Sequence, residues 1–189
     1  NPDGAAAYIR ENANGVDLNR DAFECTEPES KVLRTVLETF TPDYCFNLHD
    51  QRTIFGLLES QKPATMSFLT ASYNEARTFN SVREQAAAVI VGINNELQKY
   101  IPNQVGRFDD SFNISCTGDY FTSRGFPTIL FEAGHYANDY NRDEVRKLVF
   151  IALKAAILFI NENDIVSNDL GNYLNIYQNN KCFYDFIFK

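Results

Sequence analysis

Apolar and polar positions change period several times along the 189 residues, and each change marks an element. After Pro28-Glu29-Ser30, the residues Val32, Leu33, Val36, Leu37 and Phe40 recur at helical spacing. An amphipathic helix is predicted there, and Thr41-Pro42 stops it. YCFNLH, from Tyr44 to His49, reads as a short strand whose polar end carries His49 and Asp50. ATMSFL, from Ala64 to Leu69, reads as another. Ser81 is placed to cap a helix from Val82 to about Lys99, and Glu84 completes a capping box. The stripe of that helix is Val82, Ala86, Val89, Ile90, Ile93 and Leu97, and Pro102 ends it. Gly92, inside VIVGINN, reads as a point of close helix packing.

The next segment, GRFDDSFNISCTGDYFTSRG, is polar and aromatic at once, as the lining of a cleft often is. FPTILFE, from Phe126 to Glu132, is a near-continuous apolar run of strand type that ends in a carboxylate. Asn141 is placed to cap a long helix to roughly Asn161. The tail FYDFIFK alternates as an edge strand does. Helices alternating with apolar strands give an α/β class with a mixed sheet and flanking helices. No repeat or low-complexity linker divides the chain, so residues 1–189 read as a single domain or a large piece of one.

Composition narrows the partners. A hydrophobic share of 44% is enough to bury a sizeable core. The net charge of −8 and the lack of a Lys/Arg cluster argue against nucleic acid. The most apolar run, Leu148 to Ile160, is interrupted by Lys154 and is too short to span a bilayer. Cys25, Cys45, Cys116 and Cys182 show no CxxC pairing; two disulfides and four free thiols fit equally well. No targeting segment is visible, so location stays open between cytoplasm, periplasm and secretion, the cytoplasm slightly favoured.

Candidate chemistry sits at the strand ends. His49 closes one strand beside Asn47 and Asp50, where open α/β sheets place their sites, although a lone histidine is commonly structural. Glu132 directly follows ILF at a strand end, where desolvation would raise its pKa and suit it to general-base work. Glu132 and His135 form an E-x-x-H spacing, but Gly134 and the preceding strand argue against the helix such a metal pair needs. In RENANGVDLNR, Arg10 and Arg20 flank a turn rich in Asn and Gly, which is either a plain surface loop or a shaped anion site. No GxxxxGK[ST] or GxSxG motif is present.

Taken together, NPDG at Asn1 to Gly4, Arg10, VDLNR at Val16 to Arg20, His49 and TILFEAG resemble the zinc carboxypeptidases of the M14 peptidase family. The resemblance covers about Asn1 to Gly134 and implies a metallocarboxypeptidase fold. It implies that Asn19 and Arg20 bind the C-terminal carboxylate of a peptide, for which a guanidinium fork is well shaped. It implies that Arg10 stabilises the oxyanion, that His49 is a zinc ligand and that Glu132 is the general base.

Two departures follow. The family's H-x-x-E motif, which supplies two more zinc ligands, lies upstream of NPDG, and these residues contain none. The expectation is therefore a C-terminal part of a longer enzyme that binds one zinc ion, with weak or no zinc binding and no activity in this chain alone. A sheet cut in this way would expose apolar surface, so self-association of the piece is an expected behaviour. Second, no tyrosine lies between Arg107 and Thr117 to cap the substrate; Phe108, Phe112 and the later Tyr120 are the candidates. The specificity pocket is expected near Cys116 to Asp119. The alternatives are a murein or γ-glutamyl peptidase of the same family and a non-catalytic carboxylate-binding domain.

Overall fold

The computed structural model describes residues 1–162, 170–184 and 186. The elements run α1 (Pro2–Ala7), a 3-10 turn (Leu18–Arg20), α2 (Pro28–Phe40), β1 (Cys45–Asp50), β2 (Phe55–Leu57), β3 (Lys62–Pro63) and β4 (Met66–Thr70). They continue with α3 (Ser81–Leu97), β5 (Val105–Arg107), α4 (Thr117–Ser123), β6 (Thr128–Ala133), α5 (Asp143–Glu162), α6 (Leu170–Leu174) and β7 (Asn179–Lys181). The main sheet has the order β1-β6-β4-β5, and a small antiparallel sheet has the order β3-β2-β7. β1 and β6 are parallel, β6 and β4 antiparallel, and β4 and β5 parallel, so the sheet is mixed, as the sequence predicts.

Side chains alternate across each strand, which separates the two faces of the sheet. Phe46, Phe68 and Phe131 stack edge to face on one side. There they join a core built with Ala86, Val89, Ile90, Ile93 and Leu97 of α3 and Leu148, Ala152 and Ala156 of α5. Gly92 lets α5 approach, because a Cβ there would lie 2.4 Å from the Phe159 ring. Asn47 points to the opposite face, where Gly118 of α4 lies close enough that an added Cβ would sit 3.5 Å from the Asn47 amide. β6 is covered on both faces, which is why FPTILFE is apolar without alternation.

Several boundaries differ from the sequence reading. Asn80, not Ser81, caps α3, its side chain accepting from the Arg83 backbone N–H at 3.1 Å. Asp139, not Asn141, serves the start of α5: its carboxylate accepts the Val145 N–H at 3.0 Å, and a carboxylate suits that end of the helix dipole better than an amide does. The last described strand is β7, upstream of FYDFIFK; Phe183, Tyr184 and Phe186 are not in a strand, and residues 185 and 187–189 lie outside the described residues. All four cysteines are free thiols.

Arg83 is fully buried without hydrophobic company alone. Its guanidinium donates to the Arg77, Thr78 and Thr70 carbonyls, pairs with Asp110 at 2.8 Å and lies over the Phe79 ring. It thereby ties the loop that begins at Phe108 to the end of β4.

Truncating Phe131 to Ala should lower stability by about 3–5 kcal/mol, because the ring is central to the packed face. Phe40→Ala, on an exposed ring, should stay within about 0.5 kcal/mol. Urea denaturation of the 189-residue chain reads both; equal losses would contradict this placement of the core.

Candidate active site

The parallel register of β1 and β6 sets Cys45 opposite Thr128, and four steps along the same ladder put His49 opposite Glu132. Both side chains lie on the α4 face, at the C-terminal ends of parallel strands. Ser67 of β4 is opposite Glu132 on the other side, so His49, Glu132 and Ser67 form a polar row across the sheet. Ser67 Oγ bonds the Asn179 side chain at 3.0 Å, and Asn179 donates onward to Gln51 at 2.9 Å.

Glu132 is buried, and burial pushes its carboxyl up to about 7, with the charge of Asp50 adding to the rise. A carboxyl in that range can take and return a proton near neutral pH. His49 is half-buried, and its pKa is lowered first by burial and then by the guanidiniums of Arg10 and Arg20. Its Nε2 is buried without a hydrogen-bond partner. A neutral imidazole with a free, inward nitrogen is ready to accept a hydrogen bond or bind a metal ion. Arg142 fixes the end of β6, donating to the Ala133 and Gly134 carbonyls and pairing with Asp50 at 2.8 Å.

The arginine loop is a built structure. The Asn12 side chain accepts the N–H groups of Asn14 and Val16 at 3.0 and 3.1 Å. Its amide donates to Glu27 at 2.7 Å, and the Asn14 amide reaches the same carboxylate at 2.7 Å. Gly15 sits at φ 78°, a conformation that favours glycine. A bridge between Glu11 and Asp17 closes the turn. Asp21, which burial alone would push up, is held down at about 2 by N–H bonds from Thr26 and Glu27 and by the Ser30 and Thr26 hydroxyls. The loop's floor is thus fixed while its two arginines stay exposed. Arg10 is held by Asp17 at 2.8 Å, and the Arg20 guanidinium donates to the Asn19 carbonyl. The Asn19 side chain accepts the Thr117 N–H at 3.2 Å, joining the loop to the start of α4.

The sequence-derived candidates therefore gather on one side of the sheet: His49 and Glu132 by register, Arg10 and Arg20 through their charges on His49, and Asn19 through α4. Asp17 and Ser67 were not singled out, and Asp50 only as a polar neighbour of His49 at the strand end. Asp17 is visible inside VDLNR as a natural partner for an arginine, whereas the position of Ser67 depends on strand pairing and has no sequence signal. Asp119 is buried near the expected specificity pocket; burial pushes it up to about 6 against N–H bonds from Asn113 and Ser72. His135 does not join Glu132 on a helix: its segment is irregular and its ring packs on Phe183. Of the capping candidates, Phe108 packs on Phe55, and Tyr120 faces Phe23 with Arg34 over its ring.

A metal centre is only partly provided. The free His49 Nε2 suits a zinc ligand, but among the described residues no group of three His, Cys, Asp or Glu side chains could hold a metal ion. The residues present therefore do not make a complete zinc site.

No family model matches the sequence, and no curated protein matches it. The fold does have a counterpart among solved structures. A metallo-carboxypeptidase from Burkholderia cenocepacia superposes with a TM-score of 0.59 at 18% sequence identity. The match covers 86% of this chain but 43% of that one, so the chain spans less than half of its neighbour's length. The mixed α/β fold is similar to that of a metallo-carboxypeptidase.

The raised pKa of Glu132 has a consequence for stability. Its neutral form stabilises the fold fully below the ordinary carboxyl value of 4.5, and that contribution is lost as pH rises through about 7. Glu132→Gln should therefore raise the urea midpoint at pH 8 and leave it nearly unchanged at pH 4. The same shift at both pH values would contradict a desolvated carboxyl.

Proposed function

We propose that the chain is the catalytic part of a zinc metallocarboxypeptidase that removes the C-terminal residue of peptides. The observation that carries this reading is the pairing of a buried carboxyl near pH 7 with a half-buried imidazole whose Nε2 is free, on a site faced by two arginines. His49 would provide one zinc ligand, and the others would come from polypeptide outside these residues.

The remaining roles belong to the side chains of the chain itself. Arg20, with Asn19, holds the substrate's terminal carboxylate through paired charge-assisted bonds. Arg10 would face the scissile carbonyl and stabilise negative charge as it develops on the oxygen. Glu132 takes a proton from the attacking water and delivers it to the leaving amine as the C–N bond breaks. The Asp17 pair limits the rotamers of Arg10, and the Thr117 N–H orients Asn19, so both groups are positioned before substrate arrives. A specificity pocket near Cys116 to Asp119 would receive the terminal side chain, next to the clamp.

The longer enzyme offers two tests. Arg20→Ala should raise KM for peptides with free carboxylates by about 100-fold, the scale of a lost charge-assisted bond pair, and spare amidated peptides. Equal losses on both would remove the clamp role. Glu132→Gln should retain zinc but lower kcat by at least about 100-fold, and near-normal turnover would rule out its role as base.

A further inference from the structure

Ser67 on β4 is the cross-strand neighbour of Glu132, and both side chains lie on the face that carries His49. Ser67 is fully buried, and its hydroxyl has one proton to give. A hydroxyl so placed is the obvious donor to the carboxyl beside it. That bond is not made. Burial and the charge of Asp50 raise the Glu132 carboxyl, and no hydrogen bond from the described residues offsets them. Ser67 donates instead to the Asn179 side-chain oxygen at 3.0 Å.

The direction of that bond is fixed from the far end of a chain of amides. The Gln51 side-chain amide donates to the Ala64 carbonyl, which can only accept. Gln51 therefore turns its Nε2 to Ala64 and its Oε1 to Asn179. The Asn179 Nδ2 donates to that oxygen at 2.9 Å, so its own Oδ1 meets Ser67 as an acceptor. Turning either amide over would set two donors or two acceptors against each other in a buried place. Two glycines make room for the chain. A Cβ at Gly106, which pairs with Ser67 across β5, would overlap the Asn179 side-chain oxygen. One at Gly134 would overlap the Ala64 carbonyl and the Gln51 amide nitrogen. Asn179 itself is delivered by β7, which its pairing with β2 holds in place.

We propose that Asn179 is a positioning residue for Glu132: by accepting the Ser67 proton it keeps that hydroxyl off the carboxylate and leaves the carboxylate's lone pairs open to the water it activates. A carboxylate that accepted the Ser67 hydroxyl would be a weaker base, because a hydrogen bond to the charged form favours that form. Gln51 acts one step further out, by setting which end of the Asn179 amide Ser67 meets. The role of Glu132 as base rests on the peptidase reading; the direction of the bonds does not.

Carbon-13 NMR of the 189-residue chain tests this without metal or turnover. The Glu132 carboxylate signal, identified by its loss in Glu132→Gln, is read at pH 9, where the carboxyl is ionised. Asn179→Leu removes the acceptor, so Ser67 turns to Glu132 and the signal should shift; adding Ser67→Ala should return it to its original position. Gln51→Met frees the Asn179 amide to turn over and should shift the signal the same way by a smaller amount, which keeps the test open if Asn179→Leu does not fold. An unmoved signal in a folded variant, or a shift that survives Ser67→Ala and so belongs to repacking, would overturn the proposal. In the active enzyme, Asn179→Leu should lower kcat about 10-fold, the scale of one hydrogen bond to a charged group, while KM stays within about twofold. Ser67→Ala in the same chain should restore kcat. If the NMR shifts appear but Glu132→Gln leaves turnover intact, the peptidase reading fails and the bond arrangement stands.

Discussion

The pairing of β1 with β6 is the constraint on which the site depends. Because the register is parallel and in step from Cys45 to Asp50, the two polar ends of otherwise apolar strands meet on the same face. A slip of one residue would turn Glu132 into the aromatic core of Phe46, Phe68 and Phe131, where an ionised carboxyl is prohibitively costly. The same packed core that forbids the slip dries the surroundings of Glu132 and raises its pKa. Stability and proton chemistry are therefore set by one arrangement.

Around that pair the chain uses rigid, polar loop architecture in place of regular elements. Asn12 closes its own turn and shares the Glu27 carboxylate with Asn14, while Asp21 anchors the return of the chain. The cost of burying these groups is offset because each has several partners. Arg10 and Arg20 emerge from a fixed base, which reduces the ordering cost that flexible cations would otherwise carry on binding an anion. Arg83 does the equivalent for the loop after β5, holding Asp110 beside the end of β4.

The sequence revealed the large elements because their apolar periods are long: α2, α3, α5, β1, β4 and β6 lie within a few residues of the positions read from pattern. It did not reveal β2, β3, β5 or β7, strands of two or three residues defined only by their partners. Helix starts slipped where two cap-forming residues compete, as at Asn80 and Ser81, since geometry rather than residue type chooses between them. Periodicity in α2 was read correctly as a helix, but a pattern cannot say whether its apolar stripe is covered. At the site, Glu132 and His49 were legible as polar residues ending strands, and the arginine loop as a motif. Ser67 gains its place only through strand pairing, and Asp50, visible beside His49, gains its Arg142 partner only in the fold.

Zinc content of the longer gene product, with and without His49→Ala, probes the site most directly. About one zinc per chain, lost in His49→Ala, is the expected result, together with near-zero zinc in the 189-residue chain. A longer product without zinc, or one whose zinc survives His49→Ala, would contradict the proposed role of His49 as a zinc ligand beside Glu132.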